Sequence, residues 1–195
     1  MATQAHRLYT PEEYLAMERQ AEFRSEYVHG EIFAMSGGSR AHSYIAGNAY
    51  RLLGNQLEGR SCAPFGSDMR VLVNPGGLYT YPDVSIACDP QFSDSAVDTL
   101  TNPIVIVEVL SPSTEAYDRG LKFAYYRRQA SISHYVLIAQ DQPHVELYTR
   151  QEDDKWLLTE INSLEGDVNL DAIGCKLPIN KLYDRVEFSA RPEFA

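Results

Sequence analysis

The spacing of apolar residues predicts two helices in the first third of the chain. Thr10-Pro11-Glu12-Glu13 is a capping box with proline at the first helical position, so a short helix is expected over about 10–20. Between Ser39 and Gly59, apolar residues recur at steps of three and four. This period predicts an amphipathic helix that packs one face against a sheet.

Strands are predicted where aromatic and β-branched residues are bounded by glycine, proline and polar turns. The expected extended segments are 23–38, which forms a hairpin or two short strands, and 61–65, 68–74, 78–88, 103–110 and 134–140, with a Pro-Gly-Gly turn at 75–77. The polar segment 89–102 predicts a loop. A helix is expected through 115–129, although Gly120 weakens it by about 1 kcal/mol.

The C-terminal third predicts a β extension. Two strand-like runs, 144–150 and 155–162, resemble a hairpin joined by Glu-Asp-Asp, and 177–186 predicts a short closing helix. The order of elements favours an α/β (α+β) fold in a single domain over 1–195. Its core covers about 8–140, and the C-terminal hairpin and short helix cover about 141–187.

Composition and charge narrow the classes of protein. A chain of 195 residues that is 44% hydrophobic can bury a sizeable core. Its apolar runs fall short of the roughly 20 residues that cross a bilayer, and the first ten residues lack the apolar part of a secretory signal, so a cytoplasmic protein with no membrane partner is expected. The net charge of −10 argues against nonspecific coating of nucleic acid but leaves room for a local basic groove.

Three scattered cysteines, Cys62, Cys88 and Cys175, show no metal-ligand spacing. An odd number of cysteines in a cytoplasmic chain predicts reduced thiols that act as small hydrophobic residues.

One acid stands inside the most apolar strand. Strand alternation over 104–110 places Glu108 on one face with Ile104, Ile106 and Leu110, and three valines on the other face. Burying an unpaired carboxylate costs several kcal/mol, roughly, so another group must compensate this charge.

Two arrangements can supply that compensation. Asp83 lies in another strand-like run, while Asp118, Lys122 and Tyr126 would share one helix face. In a structural network, Glu108 pairs with the lysine and no ion is involved. In a hard-cation site, Asp83 and Glu108 bind Mg²⁺ or Mn²⁺, which polarises a phosphoryl oxygen, while Lys122 orients the nucleophile or stabilises developing charge.

The order of three segments favours the hard-cation site over the structural network. YPDVSIA, then IVIVEVLSPST, then YDRGLKFAYY resembles the PD-(D/E)xK nuclease superfamily, and within it the Uma-two-like branch of restriction-endonuclease-like nucleases. The resemblance includes EYVHGEIFAMSGGSRAH upstream and covers roughly residues 8–185. It implies a restriction-endonuclease-like core, with a mixed central sheet flanked by helices.

The resemblance also implies roles for particular residues. Asp83 and Glu108 match the two acids of the motif, which would be the metal ligands. Leu110 stands where the usual lysine would be, and Lys122 on the following helix matches the lysine role of this branch.

Other positions match the branch less directly. Glu31 and His42 match accessory polar positions of the site, and Thr114 and Asp118 are expected to organise the helix start and hold Lys122. The chain departs from the usual pattern in its last core strand, which carries the residues His134, Val136 and Gln140.

The activity implied by the resemblance is Mg²⁺-dependent hydrolysis of phosphodiester bonds in DNA, by an endonuclease in which Mn²⁺ can substitute. The alternative is a catalytically weak or inactive nucleic-acid-binding or assembly module that keeps the nuclease fold. A homodimer is expected, because enzymes that cut both strands often pair two sites. Trp156 and Leu157 on the C-terminal hairpin could form its interface or belong to the ordinary core.

Overall fold

The helices and strands follow the predicted order closely. The computed structural model describes residues 7–35, 37–73, 77–93, 96 and 98–188. The helices are α1 (Pro11–Glu18), α2 (Arg40–Leu57), α3 (Glu115–Tyr117), α4 (Phe123–Tyr126) and α5 (Ile179–Leu182), with a π-helical turn at Asp118–Lys122. The strands are β1 (Ser25–Val28), β2 (Glu31–Ala34), β3 (Cys62–Gly66), β4 (Arg70–Val73), β5 (Leu78–Thr80), β6 (Val84–Cys88), β7 (Thr99–Leu100), β8 (Val105–Leu110), β9 (His134–Ala139), β10 (Val145–Arg150), β11 (Trp156–Ile161), β12 (Asp167–Leu170) and β13 (Cys175–Pro178).

The strands form a central mixed sheet and two smaller sheets. The central sheet has six strands in the order β11-β10-β9-β8-β6-β3, with β8 and β9 parallel and the other neighbours antiparallel. A five-stranded sheet has the order β2-β1-β5-β4-β7, and β12 pairs with β13. A mixed sheet flanked by helices is the predicted fold class.

The predicted faces of β8 are confirmed by its two packing partners. Val105, Val107 and Val109 belong to the core cluster that contains the buried face of α2. Ile106 and Leu110 belong to the second cluster, which lies on the opposite face of the sheet. Both faces of this strand are therefore covered, as its apolar sequence predicts.

Helix α2 joins the central sheet to the C-terminal extension. Ser39 is its N-cap and accepts a hydrogen bond from the backbone N–H of His42. The buried residues of α2 recur every four positions and pack in one cluster with residues of β8, β13 and α5. Strands β12 and β13 were not predicted, because each is only four residues long and β13 runs directly into α5.

The predicted extended segment 78–88 is divided between two sheets. Strand β5 belongs to the five-stranded sheet and β6 to the central sheet, so the chain passes from one to the other at Tyr81, Pro82 and Asp83. Proline has no N–H to donate to a strand ladder, which fits this break. Asp83 consequently lies where the two sheets meet.

Two other predictions concern the loops. The predicted loop 89–102 contains the two-residue strand β7, which pairs in parallel with β4. Of the predicted turn at 75–77, Pro75 and Gly76 lie outside the described residues. Within the described ranges, none of the helices has the length and apolar character needed to cross a bilayer.

The expectation of reduced thiols is wrong for two of the three cysteines. Cys62 and Cys88 lie directly opposite each other on the antiparallel strands β3 and β6, and a disulfide joins them. Their 26-residue separation along the chain carries no sign of this cross-strand register. Cys175 is a free, buried thiol, as expected.

The helical segment 115–126 is continuous but irregular. Residues Asp118–Lys122 form a π-helical turn between α3 and α4. Such turns are rare and frequently occur at functional sites. Gly120, which weakens a regular helix, lies inside this turn.

Candidate active site

The sequence-predicted site residues surround one cavity. The cavity has a volume of about 490 Å³ and lies between β1, β2, the end of β8 and the helical segment 115–126. Its walls include all the residues proposed from the sequence, namely Glu31, His42, Asp83, Glu108 and Lys122. Segments far apart along the chain therefore bring their polar side chains to one place.

Glu108 is nearly enclosed, with 5% of its surface exposed. Its Oε1 atom lies 2.9 Å from Lys122 Nζ and accepts a hydrogen bond from the Tyr126 hydroxyl at 2.9 Å. Removal from water raises the pKa of Glu108 to about 8; the charge of Lys122 opposes this shift, and neighbouring carboxylates add to it.

Lys122 is the cation at the centre of this cluster. Its Nζ atom lies 3.0 Å from Glu26 Oε1 and 3.6 Å from Asp118 Oδ1, in addition to Glu108. Burial lowers the pKa of Lys122, but the attraction of these carboxylates outweighs burial and holds that pKa well above its ordinary value. The ammonium therefore keeps its proton.

Glu26 is a site residue that the sequence reasoning missed. It is buried on β1, and its Oε1 atom also accepts a short hydrogen bond from the Thr80 hydroxyl of β5. The signal that could have found it is the one used for Glu108, since Glu26 is an acid inside a short aromatic and apolar strand.

Asp83 is tied to the strand that carries Glu108. Its Oδ2 atom accepts a hydrogen bond from the Val109 backbone N–H at 2.7 Å and lies 3.2 Å from His42 Nε2. The hydrogen bond to Asp83 raises the pKa of His42, although burial of the ring opposes the shift. The helix start therefore fixes Asp83 beside Glu108, and both carboxylates line the same cavity.

Asp118 and Glu31 also line the cavity. Asp118 is buried one turn before Lys122; burial raises the pKa of its carboxyl, while Lys122 and a hydrogen bond from Thr114 oppose the shift. Glu31, the first residue of β2, is exposed at the cavity wall.

The carboxylate oxygens of Glu108 and Asp83 are the type of ligand that a hard cation prefers. The contacts of Glu108 described above all involve Oε1, and those of Asp83 all involve Oδ2. The second oxygen of each carboxylate takes no part in these contacts. Mg²⁺ is commonly held by one or two carboxylates together with water and substrate phosphates. Across the described part of the chain, three potential ligands converge elsewhere, at His144, Glu146 and Glu160.

The three residues that depart from the usual pattern are buried or hydrogen-bonded within the fold. Val136 packs in the core cluster with α2, and Gln140 accepts a short hydrogen bond from the Ser39 hydroxyl. His134 is 2% exposed, and neither ring nitrogen has a hydrogen-bond partner. Burial lowers the pKa of His134, which favours the neutral ring.

The fold and the clustering of Asp83, Glu108 and Lys122 define a protein of the restriction-endonuclease-like class. The family model described as "Uma2: Putative restriction endonuclease" matches residues 11–180. The chain belongs to this family, which confirms the resemblance found in the sequence.

Two relatives and one solved structure are similar to this chain over most of its length. The chain is 37% identical over 179 residues to the uncharacterized protein slr1290 of Synechocystis sp., covering 92% of this chain and 93% of the relative. It is 39% identical over 169 residues to sll1609 of the same organism, covering 86% and 96%. A crystal structure described as a putative nuclease belonging to DUF820, from Anabaena variabilis, matches with a TM-score of 0.73 and 19% identity over 90% of this chain and 98% of that chain. This similarity shows the same fold.

Proposed function

We propose that this protein is a Mg²⁺-dependent endonuclease that hydrolyses phosphodiester bonds in DNA. Membership of the Uma2 family supports the nuclease class. The observation that carries the proposal is the convergence of Asp83, Glu108 and Lys122 on one cavity, with the ammonium 2.9 Å from the buried carboxylate.

The carboxylates of Glu108 and Asp83 would hold the metal. A bound Mg²⁺, or Mn²⁺ in its place, supplies a Lewis acid that polarises a phosphoryl oxygen and lowers the pKa of water. Lys122 keeps its proton, so it contributes a positive charge and N–H donors to the developing phosphate charge and does not act as a general base. His42 holds Asp83 in position through its Nε2 contact.

A direct assay tests this function. Purified protein with Mn²⁺ or Mg²⁺ should nick supercoiled plasmid, and EDTA should stop the reaction. Glu108→Gln should abolish nicking, because a neutral amide replaces the carboxylate. Glu152→Gln is the control for loss of one carboxylate, since Glu152 is exposed and does not line the cavity. Cleavage that survives Glu108→Gln would contradict the assignment.

One observation favours the alternative, an inactive binding or assembly module. Lys122 already compensates Glu108 and Glu26 without any ion. A purely structural cluster of this kind should be indifferent to Mn²⁺ in calorimetry and strongly destabilised by loss of either partner. The nuclease should instead bind Mn²⁺ at a site that Asp83→Ala removes.

We also propose a homodimer. Trp156 packs edge-on against Phe123, whereas Leu157 is 55% exposed and Leu158 is 43% exposed on the same strand. Because successive residues of a strand point to opposite faces, Leu157 and Leu158 expose one apolar side chain on each face of β11, the outer strand of the central sheet. Sedimentation at micromolar concentration should show a dimer, and a monomer would contradict this proposal.

A further inference from the structure

A second cavity opens beside the candidate active site. It has a volume of about 1010 Å³, and its walls come from the chain after α1, from one face of α2 and from β3 with the turn that follows it. His42 and Asp83 line both cavities, as do Met35 and Tyr81. A molecule bound in the second cavity would therefore extend directly to the proposed metal ligands.

Exposed aromatic rings line this second cavity. Phe23 is 79% exposed and Tyr50 is 44% exposed, so both rings are accessible to a molecule in this cavity. The Tyr50 ring lies over Gly66 of β3, where an added Cβ would be 3.9 Å from the ring. Aromatic faces of this kind are stacking platforms for nucleobases.

The wall of α2 next to Tyr50 is open. Gly47 is exposed one turn before Tyr50 and lines the same cavity. A Cβ built on Gly47 would have no other atom within 4 Å. A flat group therefore has space between the helix and the opposite wall.

The charges around the two cavities do not suit an intact duplex. Acidic side chains outnumber basic ones in both linings, where Arg24 and Lys122 are the basic residues. Arg24 is paired with Asp68 at 2.7 Å, and Lys122 is held by the buried carboxylates. This acidic lining repels the phosphates of a single strand as well as those of a duplex. A single strand can offset that repulsion by stacking its unpaired bases on aromatic rings, whereas the bases of a duplex already stack on one another.

From these features we propose that the second cavity binds the unpaired bases of single-stranded DNA and leads that strand to the active-site cavity. This inference rests on the proposed nuclease function and names its substrate class. Tyr50 and Phe23 stack with bases, Gly47 leaves the space that a base occupies, and His42 and Asp83 mark the junction with the reacting phosphate.

Fluorescence anisotropy of the full-length protein tests this binding mode. The probes are a labelled oligothymidine of about 12 nucleotides and a duplex of the same length in Ca²⁺ buffer, with a gel to verify that each remains intact. We expect the single strand to bind at least about tenfold more tightly than the duplex. Tyr50→Ala should weaken single-strand binding by about 5- to 150-fold, the loss of one base stack.

Three further variants and a salt titration sharpen the test. Tyr50→Phe should keep the affinity within about twofold, and so should Tyr44→Ala, which removes another exposed tyrosine of α2 that lines neither cavity. Gly47→Leu should fold, because leucine favours helices, and should weaken binding by filling the cavity. With two cations present, the slope of log affinity against log salt should be no steeper than about 1.4.

Each outcome decides one question. Equal or tighter binding of the duplex would overturn the inference, as would single-strand binding that is unchanged by both Tyr50→Ala and Gly47→Leu. Plasmid nicking with Mn²⁺ tests the proposed function separately. Nicking without Tyr50-dependent strand binding leaves the nuclease and removes this inference, whereas Tyr50-dependent binding without any cleavage leaves the strand-binding cavity and removes the catalytic function.

Discussion

Replacing Lys122 with methionine should strongly destabilise the protein. Methionine keeps the unbranched shape of the side chain but removes the ammonium that lies 2.9 Å from Glu108 and 3.0 Å from Glu26. Breaking a buried ion pair by removing one partner costs about 3–5 kcal/mol, because the other charge is left uncompensated. Domains are stable by about 5–15 kcal/mol, so this loss is a large share of the total.

Urea denaturation at pH 8 in EDTA measures this loss. With a slope of about 2 kcal/mol per molar urea, the midpoint should fall by about 1.5–2.5 M. Lys155→Met is the control, because Lys155 is exposed and pairs with Asp153 on the surface. Surface pairs contribute about 0–1 kcal/mol, so that midpoint should change little. A Lys122→Met protein as stable as the wild type would refute the role of Lys122 as the compensating charge.

The destabilisation by Lys122→Met should grow with pH. The pKa of Glu108 is about 8 in the folded protein with Lys122 present, and removing the ammonium raises it further. In the unfolded chain it is about 4.3. A carboxyl with a raised folded-state pKa contributes full stability below the unfolded value and loses it as pH rises through the folded value. The midpoint difference should therefore be larger at pH 9 than at pH 6.

Metal and partner substitutions extend this test. If Glu108 and Asp83 bind Mg²⁺, adding millimolar Mg²⁺ should restore more stability to Lys122→Met than it adds to the wild type, because a dication replaces the lost positive charge. Lys122→Met combined with Glu108→Gln should be less destabilised than the sum of the single variants, by about 0.5–3 kcal/mol. Strict additivity would show that the two side chains do not interact.

The remaining predictions concern metal binding, acid stability and the disulfide. Asp83→Asn should remove Mn²⁺ binding in calorimetry. Lys122→Ala should reduce turnover more than metal affinity, because an ammonium cannot ligate a cation. Equal losses of turnover and of metal affinity in Lys122→Ala would contradict the role given to Lys122. The pKa of His134 is lowered in the folded state, so the unfolded state binds more protons below about pH 6.5 and the free energy of unfolding should fall with acid. His134→Leu should lose less stability than the wild type between pH 7 and pH 5, despite the weak opposing attraction of Asp171. An unchanged pH dependence would refute this. Replacing Cys62 and Cys88 together with alanine should cost about 3.5 kcal/mol under oxidising conditions, from the 26-residue separation. A double variant as stable as the oxidised wild type would contradict that.

The local elements and the chemical residues could be predicted from the sequence. The capping box at Thr10, the period of α2 and the alternation of β8 each depend on residues within one element, and the structure confirms all three. The need for a partner of Glu108 followed from the same reasoning, since an acid on an apolar strand requires one, whereas the nuclease chemistry came from the resemblance to a known family. The single-domain assignment and the roles of the site residues stay predictions.

Tertiary structure decided which residues meet across the sheets. Glu26 joins Lys122 because β1 pairs with β5, and Cys62 joins Cys88 because β3 pairs with β6 in one register. Asp83 lies beside Val109 because the chain changes sheets just before it. Strand pairing connects distant parts of the chain, whereas a hydrophobic period reports only the exposure of neighbouring residues along one element. The sequence by itself therefore determined the elements and the charged residues that need compensation, and the packed fold determined which groups compensate them.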